Sequence, residues 1–150
     1  MRKTLILFSI ILGTLGLTYL LVQYISMQGF LFAWVLNFLL MMCVLMFTET
    51  LKSPLTSPYY NQKGWENGGK VYEILGIHFF RKVLVWVGWE KLNKKANPVE
   101  KNTNALIQLH YKTKQSELGH LIILGIVLGF TIFVAYQYGI YESLWLLLLN

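Results

Sequence analysis

The sequence contains no aspartate, and its seven acidic residues are all glutamates. Kinase-type and P-loop phosphoryl transfer hold Mg²⁺ with aspartate, so that chemistry has no residue to use here. Cys43 is the one cysteine and lies in an apolar run, which excludes an internal disulfide and a multi-cysteine metal site. Charged residues make up only 13% of the 150 residues, about half the share usual in soluble domains. These shortages argue against a soluble globular enzyme.

Apolar residues make up 55% of the chain and are concentrated in long runs near both ends. The first run, residues 5–26, carries no ionisable residue and reaches roughly 33 Å as a helix, enough to cross a bilayer core of about 30 Å. A signal peptide is the alternative, because Arg2 and Lys3 precede the run, but the length and the missing A-x-A-like site favour a retained anchor. The second run, residues 29–47, is interrupted only by Asn37, which we interpret as an interhelical hydrogen-bonding residue.

Two further apolar runs lie at residues 118–136 and 140–149. The last run reaches only about 15 Å as a helix and cannot span alone, so either it is half-buried or the natural protein continues past Asn150. The sequence therefore predicts an all-α integral membrane protein with a single membrane domain over residues 1–150. It has three full transmembrane helices, a short fourth apolar helix, and a cytoplasmic amphipathic interfacial helix between spans two and three.

The basic residues predict the orientation of these spans. Arg2 and Lys3 precede the first span, and the other basic residues, from Lys52 to Lys114, all lie between spans two and three. The positive-inside rule then predicts a multi-pass protein of the cell membrane, with the N-terminus and residues 48–117 in the cytoplasm.

The central region, residues 48–117, is too polar for the bilayer interior and too aromatic for a simple linker. Apolar side chains recur every three or four residues from Tyr72 through Phe79 to Trp86, while Lys70, Arg81 and other charged residues occupy the opposite side. This pattern predicts a helix over residues 70–92 that lies on or dips into the inner leaflet. The spread of the basic residues beside the membrane argues against nucleic acid as a partner.

Glu117 and His120 form the sharpest local motif. On a helix the two side chains share a face, so the carboxylate can orient an imidazole that takes a proton from an attacking hydroxyl. The alternative is a polar helix cap where the chain enters the membrane. A di-iron site needs two Glu-x-x-His motifs, and the sequence contains only the motif at residues 117–120. We therefore expect neither a metal nor a cofactor.

Two segments of the chain resemble the glycosyl-diaponeurosporenoate acyltransferase family over roughly residues 59–136. The first is ENGGKVYE at residues 66–73, followed by LGI at 75–77 and by FRK at 80–82, where the family has Trp-Lys. The second is TKQSELGH at residues 113–120, which agrees with the family motif at Thr113, Lys114, Glu117, Leu118 and His120. The chain departs from the family in lacking its basic tail of the Arg-Tyr-Asn-Arg type.

The resemblance implies an acyltransferase that esterifies a hydroxyl of a lipid-linked sugar, such as a glycosyl carotenoid, with a fatty acyl group. His120 is the expected general base and Glu117 its orienting carboxylate. The expected substrate-binding residues are His78, Arg81, Lys82, Lys114, Trp86 and Tyr72. The implied partners are membrane lipid and an acyl donor, either acyl-CoA or acyl carrier protein, and a homo-oligomer is left open. The alternatives are a non-catalytic membrane scaffold and a small lipid-binding membrane protein.

Overall fold

The computed structural model describes residues 2–61, 63–89, 91 and 103–150, and these residues form two compact units. The first unit contains the chain up to Pro54 together with Gln115–Asn150, and the second contains Leu55–Lys114. No strand occurs among the described residues. The described part of the chain is therefore all-helical, as the composition predicts.

The first unit begins with two long apolar helices joined by a short turn. Helix α1 is Arg2–Tyr24 and helix α2 is Phe30–Leu51. The Lys3 ammonium donates to the carbonyl oxygen of Leu51 at 2.7 Å, so the start of α1 lies beside the end of α2 and the pair is antiparallel. At 23 and 22 residues, both helices are long and apolar enough to cross a bilayer. The two apolar runs predicted as the first and second spans therefore form helices, and these helices lie side by side.

The chain returns in helix α5, Thr103–Tyr138, whose C-terminal part belongs to the first unit. With 36 residues it is about 54 Å long, and this exceeds the bilayer core by more than 20 Å. The helix therefore continues from the polar stretch that begins at Thr103 into the apolar run predicted as the third span. Phe130 packs on Phe32 of α2 with ring centroids 5.9 Å apart, so these two helices are also in contact.

A short apolar helix, α6, completes the first unit at Ile140–Leu149. Gly139 makes the turn before it with φ at 107°, a backbone conformation that L side chains rarely adopt. Trp145 then meets Phe30 edge to face at 5.4 Å, and Ser143 and Leu146 are buried. The predicted partial fourth helix is confirmed, and it packs against α2 near the start of that helix.

The core of the first unit follows a helical repeat on two helices. On α2 and α5 the buried positions recur every three or four residues, the spacing of one helix face. They are Phe32, Ala33, Leu36, Leu40, Val44 and Thr48 on α2, and Ile123, Val127, Thr131 and Val134 on α5. Helix α1 buries Leu21 alone among its residues. Helix α2 is therefore the central element of the unit.

The second unit contains two 3-10 helices, Pro58–Tyr60 and Gly64–Gly69, and two short α-helices. Helix α3 is Lys70–Ile74 and helix α4 is Ile77–Trp86. The structure therefore divides the helix predicted over residues 70–92. Gly76 has φ at +85°, and this left-handed conformation interrupts the helical backbone between α3 and α4. The predicted residues 90 and 92 lie outside the described residues, and the position of this segment relative to the membrane stays a prediction.

Candidate functional site

A cavity of ≈ 230 Å³ lies in the first unit where α2, α5 and the end of α6 meet. We call it the His120 cavity; its lining residues are Trp34, Asn37, Phe38, Met41, His120, Ile123, Leu149 and Asn150. The four residues from α2 lie on one face at spacings of three and four. This face is adjacent to the buried face of the same helix, so core packing fixes its orientation.

His120 reaches this cavity because it continues the buried stripe of α5. It lies three residues before Ile123, and Val127, Thr131 and Val134 follow at spacings of three or four on the same face. Unlike those four residues, His120 keeps an exposed side chain. The result is an imidazole at the polar end of an otherwise apolar helix face, open to a ligand.

The depth of His120 follows from its neighbour Gly119. A Cβ built on Gly119 meets Cγ1 of Val44 at 3.7 Å, so this part of α5 is level with Val44 of α2. Glu49, which carries the first carboxylate beyond Val44, follows it by five positions, or about 7.5 Å along the helix. His120 therefore lies more than one helical turn inside the polar end of α2.

Asn37 supplies the second polar side chain of the cavity from midway along α2. Its Nδ2 donates to the carbonyl oxygen of Ala33 at 2.9 Å, and the side chain is half-buried. This bond uses one amide hydrogen and leaves the other hydrogen and the amide oxygen for a ligand. The sequence predicts an interhelical hydrogen bond for Asn37, whereas its described bond stays within its own helix. The sequence signal for a functional position was that Asn37 is the polar residue that interrupts an otherwise apolar run.

The predicted partner of His120 is Glu117, one turn earlier on α5. The Glu117 side chain is exposed, and it is not among the residues that line the His120 cavity. Among the described residues no hydrogen bond joins Glu117 to His120. The placement on neighbouring turns still allows the carboxylate to act on an imidazolium through space. The roles of both residues stay predictions.

The other predicted binding residues belong to the second unit. His78, Arg81 and Lys82 are exposed and lie on one face of α4, because they are spaced by three and four residues. Trp86 ends the same helix with 88% of its surface exposed. The unit thus presents an imidazole and two cations together, an arrangement suited to an anionic ligand.

Tyr72 and Lys114 have described partners within the second unit. Tyr72 donates from Oη to Oε1 of Glu66 at 3.3 Å, and its ring lies 6.4 Å from that of Trp65. The Lys114 ammonium lies 5.8 Å from the ring centroid of Tyr60, a cation–π contact. Both residues therefore hold local structure in this unit in addition to any contact with substrate.

The His120 cavity brings a histidine and an asparagine together between apolar helices, as in membrane proteins that have a polar site in their helical bundle. Three described helices are long and apolar enough to cross a bilayer, which is consistent with a helical membrane protein, and the cavity lies between two of them and the short helix α6. Within the described residues no group of three His, Cys or Glu side chains is placed to hold a metal ion.

Comparison with known proteins narrows this class. The sequence profile of one family, CrtO, glycosyl-4,4'-diaponeurosporenoate acyltransferase, matches residues 56–150. The match covers well over half of the chain, and the protein therefore belongs to this family, as the sequence motifs predicted. Membership indicates an acyltransferase of the membrane. No match was found among curated proteins or solved structures. The matched range includes His120 and α6, whereas the α2 wall of the cavity lies before it.

Proposed function

We propose that the protein is a membrane-embedded acyltransferase of the cell membrane. It transfers a fatty acyl group to a hydroxyl of a lipid-linked sugar, of the glycosyl carotenoid type named by its family. The observation that carries the proposal is His120, a side chain able to accept a proton, in a cavity between apolar helices of a chain from an acyltransferase family.

His120 is the general base of the reaction. Its imidazole takes the proton of the sugar hydroxyl as the oxygen attacks the carbonyl carbon of an acyl thioester. The tetrahedral intermediate collapses with cleavage of the carbon–sulfur bond, and the imidazolium returns the proton to the departing thiolate. An ester and a free thiol are formed, so no oxidant, metal or further reactant is needed.

Glu117 stabilises the imidazolium that forms during the reaction. A carboxylate one helical turn away favours the charged form of the imidazole, and its effect is larger near the membrane than in bulk water. It acts on charge rather than through a fixed hydrogen bond, which fits its exposed position.

The size of the His120 cavity fits the reacting end of an acceptor. Its volume of ≈ 230 Å³ is below the usual range of about 300–1,000 Å³ for pockets that enclose a whole small ligand. The cavity therefore takes the sugar hydroxyl and the adjoining atoms, while the apolar part of the acceptor stays in lipid. Trp34, Phe38 and Met41 supply the apolar wall, and Asn37 offers a hydrogen bond to the sugar.

The acyl donor is recognised by the second unit, on the cytoplasmic side of the membrane. Acyl-CoA and acyl carrier protein both carry phosphate, and the His78–Arg81–Lys82 face of α4, with Lys114, provides cations for it. Apolar side chains of the same helix, Phe79 and Trp86, are 74% and 88% exposed. This exposure supports a role for them in anchoring the unit on the inner leaflet.

His120→Ala tests the catalytic role. We expect acyl transfer to fall about 10²- to 10⁴-fold, the usual contribution of a general base, with membrane insertion unchanged. The measurement is ester formation from labelled acyl donor and glycosyl carotenoid in membranes that contain equal amounts of each variant. His110→Ala is the matched control, because His110 lies on the same helix, is exposed, and does not line the cavity.

Near-normal ester formation by His120→Ala protein excludes this histidine as the base. The chain then either uses another base or is a non-catalytic scaffold whose exposed apolar α4 face holds the partner enzyme that forms the ester. An equal loss of activity in His110→Ala also contradicts the proposal. The loss would then follow from any histidine substitution on α5 and would not be specific to the cavity.

A further inference from the structure

A second concave surface lies between α1 and α2, and none of its residues lines the His120 cavity. It consists of two adjoining depressions of ≈ 710 and ≈ 440 Å³, which share Arg2, Ile6 and Met46 and so form one continuous groove. We call it the α1–α2 groove. All of its residues precede residue 56, where the family match begins.

The groove has a cationic mouth. Arg2, Lys3 and Lys52 line it together with a single carboxylate, that of Glu49. Lys3 already donates one hydrogen bond, to the Leu51 carbonyl at 2.7 Å. An ammonium has three donors, so two remain for a ligand, and the guanidinium of Arg2 has a planar set of donors suited to phosphate. Three cations facing one acid select an anion at this end.

The rest of the groove is apolar and has the depth of one bilayer leaflet. It runs along α1 from Ile6 past Ile10 to Leu17, about 16 Å, and half of a hydrocarbon core is about 15 Å. Gly13 lies in its floor, and a Cβ built there meets nothing within 4 Å. The missing side chain leaves room for an acyl chain against the helix.

We propose that the α1–α2 groove is a binding site for one anionic phospholipid. The phosphate lies among Arg2, Lys3 and Lys52, and an acyl chain follows the groove past Gly13 to Leu17. The length of the groove and the position of the charges at one end match a lipid that stands in its leaflet. Because the proposal uses no residue of the His120 cavity, it stands apart from the proposed acyl transfer.

Two glycine variants test the apolar part of the site in the purified full-length chain. Gly13→Leu fills the groove, and leucine is a good helix former, so α1 is preserved. Gly16→Leu is the matched control, because a Cβ on Gly16 also meets nothing within 4 Å but Gly16 does not line the groove. Native mass spectrometry from detergent with equal phosphatidylglycerol and phosphatidylcholine counts the lipid retained. We expect the parent and Gly16→Leu to retain one phosphatidylglycerol and Gly13→Leu to lose it.

Two charge variants test the mouth. Each cation near an anionic lipid strengthens binding about fivefold, so Arg2→Gln with Lys52→Gln weakens phosphatidylglycerol binding roughly 25-fold. Lys70→Gln with Lys91→Gln removes the same charge from residues outside the groove and leaves binding unchanged. Equal retention of both lipids by the parent overturns the proposal. So does equal loss from the two glycine variants, or from the two charge variants.

Discussion

At the residue scale, His120 differs from the other two histidines of the chain in its surroundings. His78 and His110 do not line the His120 cavity, whereas His120 lies at the end of an apolar stripe and lines that cavity. The sequence already distinguished it, since it follows Glu117 by one turn where a polar stretch enters an apolar one. Asn37 was not predicted as its neighbour, because contact between residues far apart in the chain depends on how α2 and α5 pack.

Glu117→Gln measures how much charge stabilisation His120 receives. The amide cannot stabilise an imidazolium, so we expect ester formation to fall about fivefold to tenfold, far less than in His120→Ala. Ester formation by Glu117→Gln, His120→Ala and the double variant is measured in the same membrane assay. These variants form a double-mutant cycle that gives the coupling between the two residues. A loss as large as that of His120→Ala contradicts a supporting role for Glu117, and an unchanged rate contradicts any role.

Asn37→Leu tests whether the α2 wall of the cavity holds the acceptor. Loss of one hydrogen bond to a ligand costs about 0.5–1.5 kcal/mol, so we expect kcat/KM for the acceptor to fall about threefold to tenfold. Thr131→Val is the control, because Thr131 also bonds its own helix, at 2.8 Å to the Val127 carbonyl, but lies outside the cavity. If both variants keep full activity, Asn37 is a packing residue only.

At the element scale, the long apolar helices were predictable and the break in the amphipathic segment was not. A long apolar run has to form a helix in lipid, because its backbone groups find no other hydrogen-bond partners there. The segment from residue 70 kept a three- to four-residue apolar spacing across Leu75-Gly76, and this spacing predicted one helix. Periodicity counts residues along the chain and carries no information about the positive φ of Gly76, which separates α3 from α4.

Gly76→Ala tests this break directly. A side chain in the left-handed region costs about 1 kcal/mol, so we expect amide hydrogen exchange over residues 70–86 to become about fivefold faster. Gly64→Ala is the control, since Gly64 is outside the positive-φ positions and has open space for a Cβ. Unchanged or slower exchange in Gly76→Ala protein, as expected if the two helices merge into one, contradicts a required break.

At the scale of the whole molecule, sequence and structure contribute different information. Composition and run length predicted an all-helical membrane protein, and the motif at residues 113–120 led to the acyltransferase family that the profile match then showed. The His120 cavity was not predictable, because three elements far apart in sequence form it. Its boundary by Leu149 and Asn150 depends on Gly139, which directs α6 back along α2.

The distribution of charge predicts how the first unit is oriented in the membrane. Lys3 contacts Leu51, so the ends of α1 and α2 that carry Arg2, Lys3 and Lys52 lie together. The positive-inside rule assigns this end to the cytoplasm. Helix α5 then crosses the membrane once before the turn at Gly139, so that turn is expected on the outer side.

Two variants, each with one cysteine added at Ser53 or at Gln137 while Cys43 is kept, test this orientation in intact cells. We expect a membrane-impermeant thiol reagent to label Gln137→Cys at once and Ser53→Cys only after the cells are opened, because the third span separates the two positions. The parent chain is the control, since its own Cys43 is half-buried in an apolar helix and is expected to stay unlabelled in both conditions. Immediate labelling of both positions means that they lie on the same side of the membrane, which contradicts a third span between them. Labelling of Ser53→Cys alone inverts the orientation and moves the proposed donor site to the outer surface.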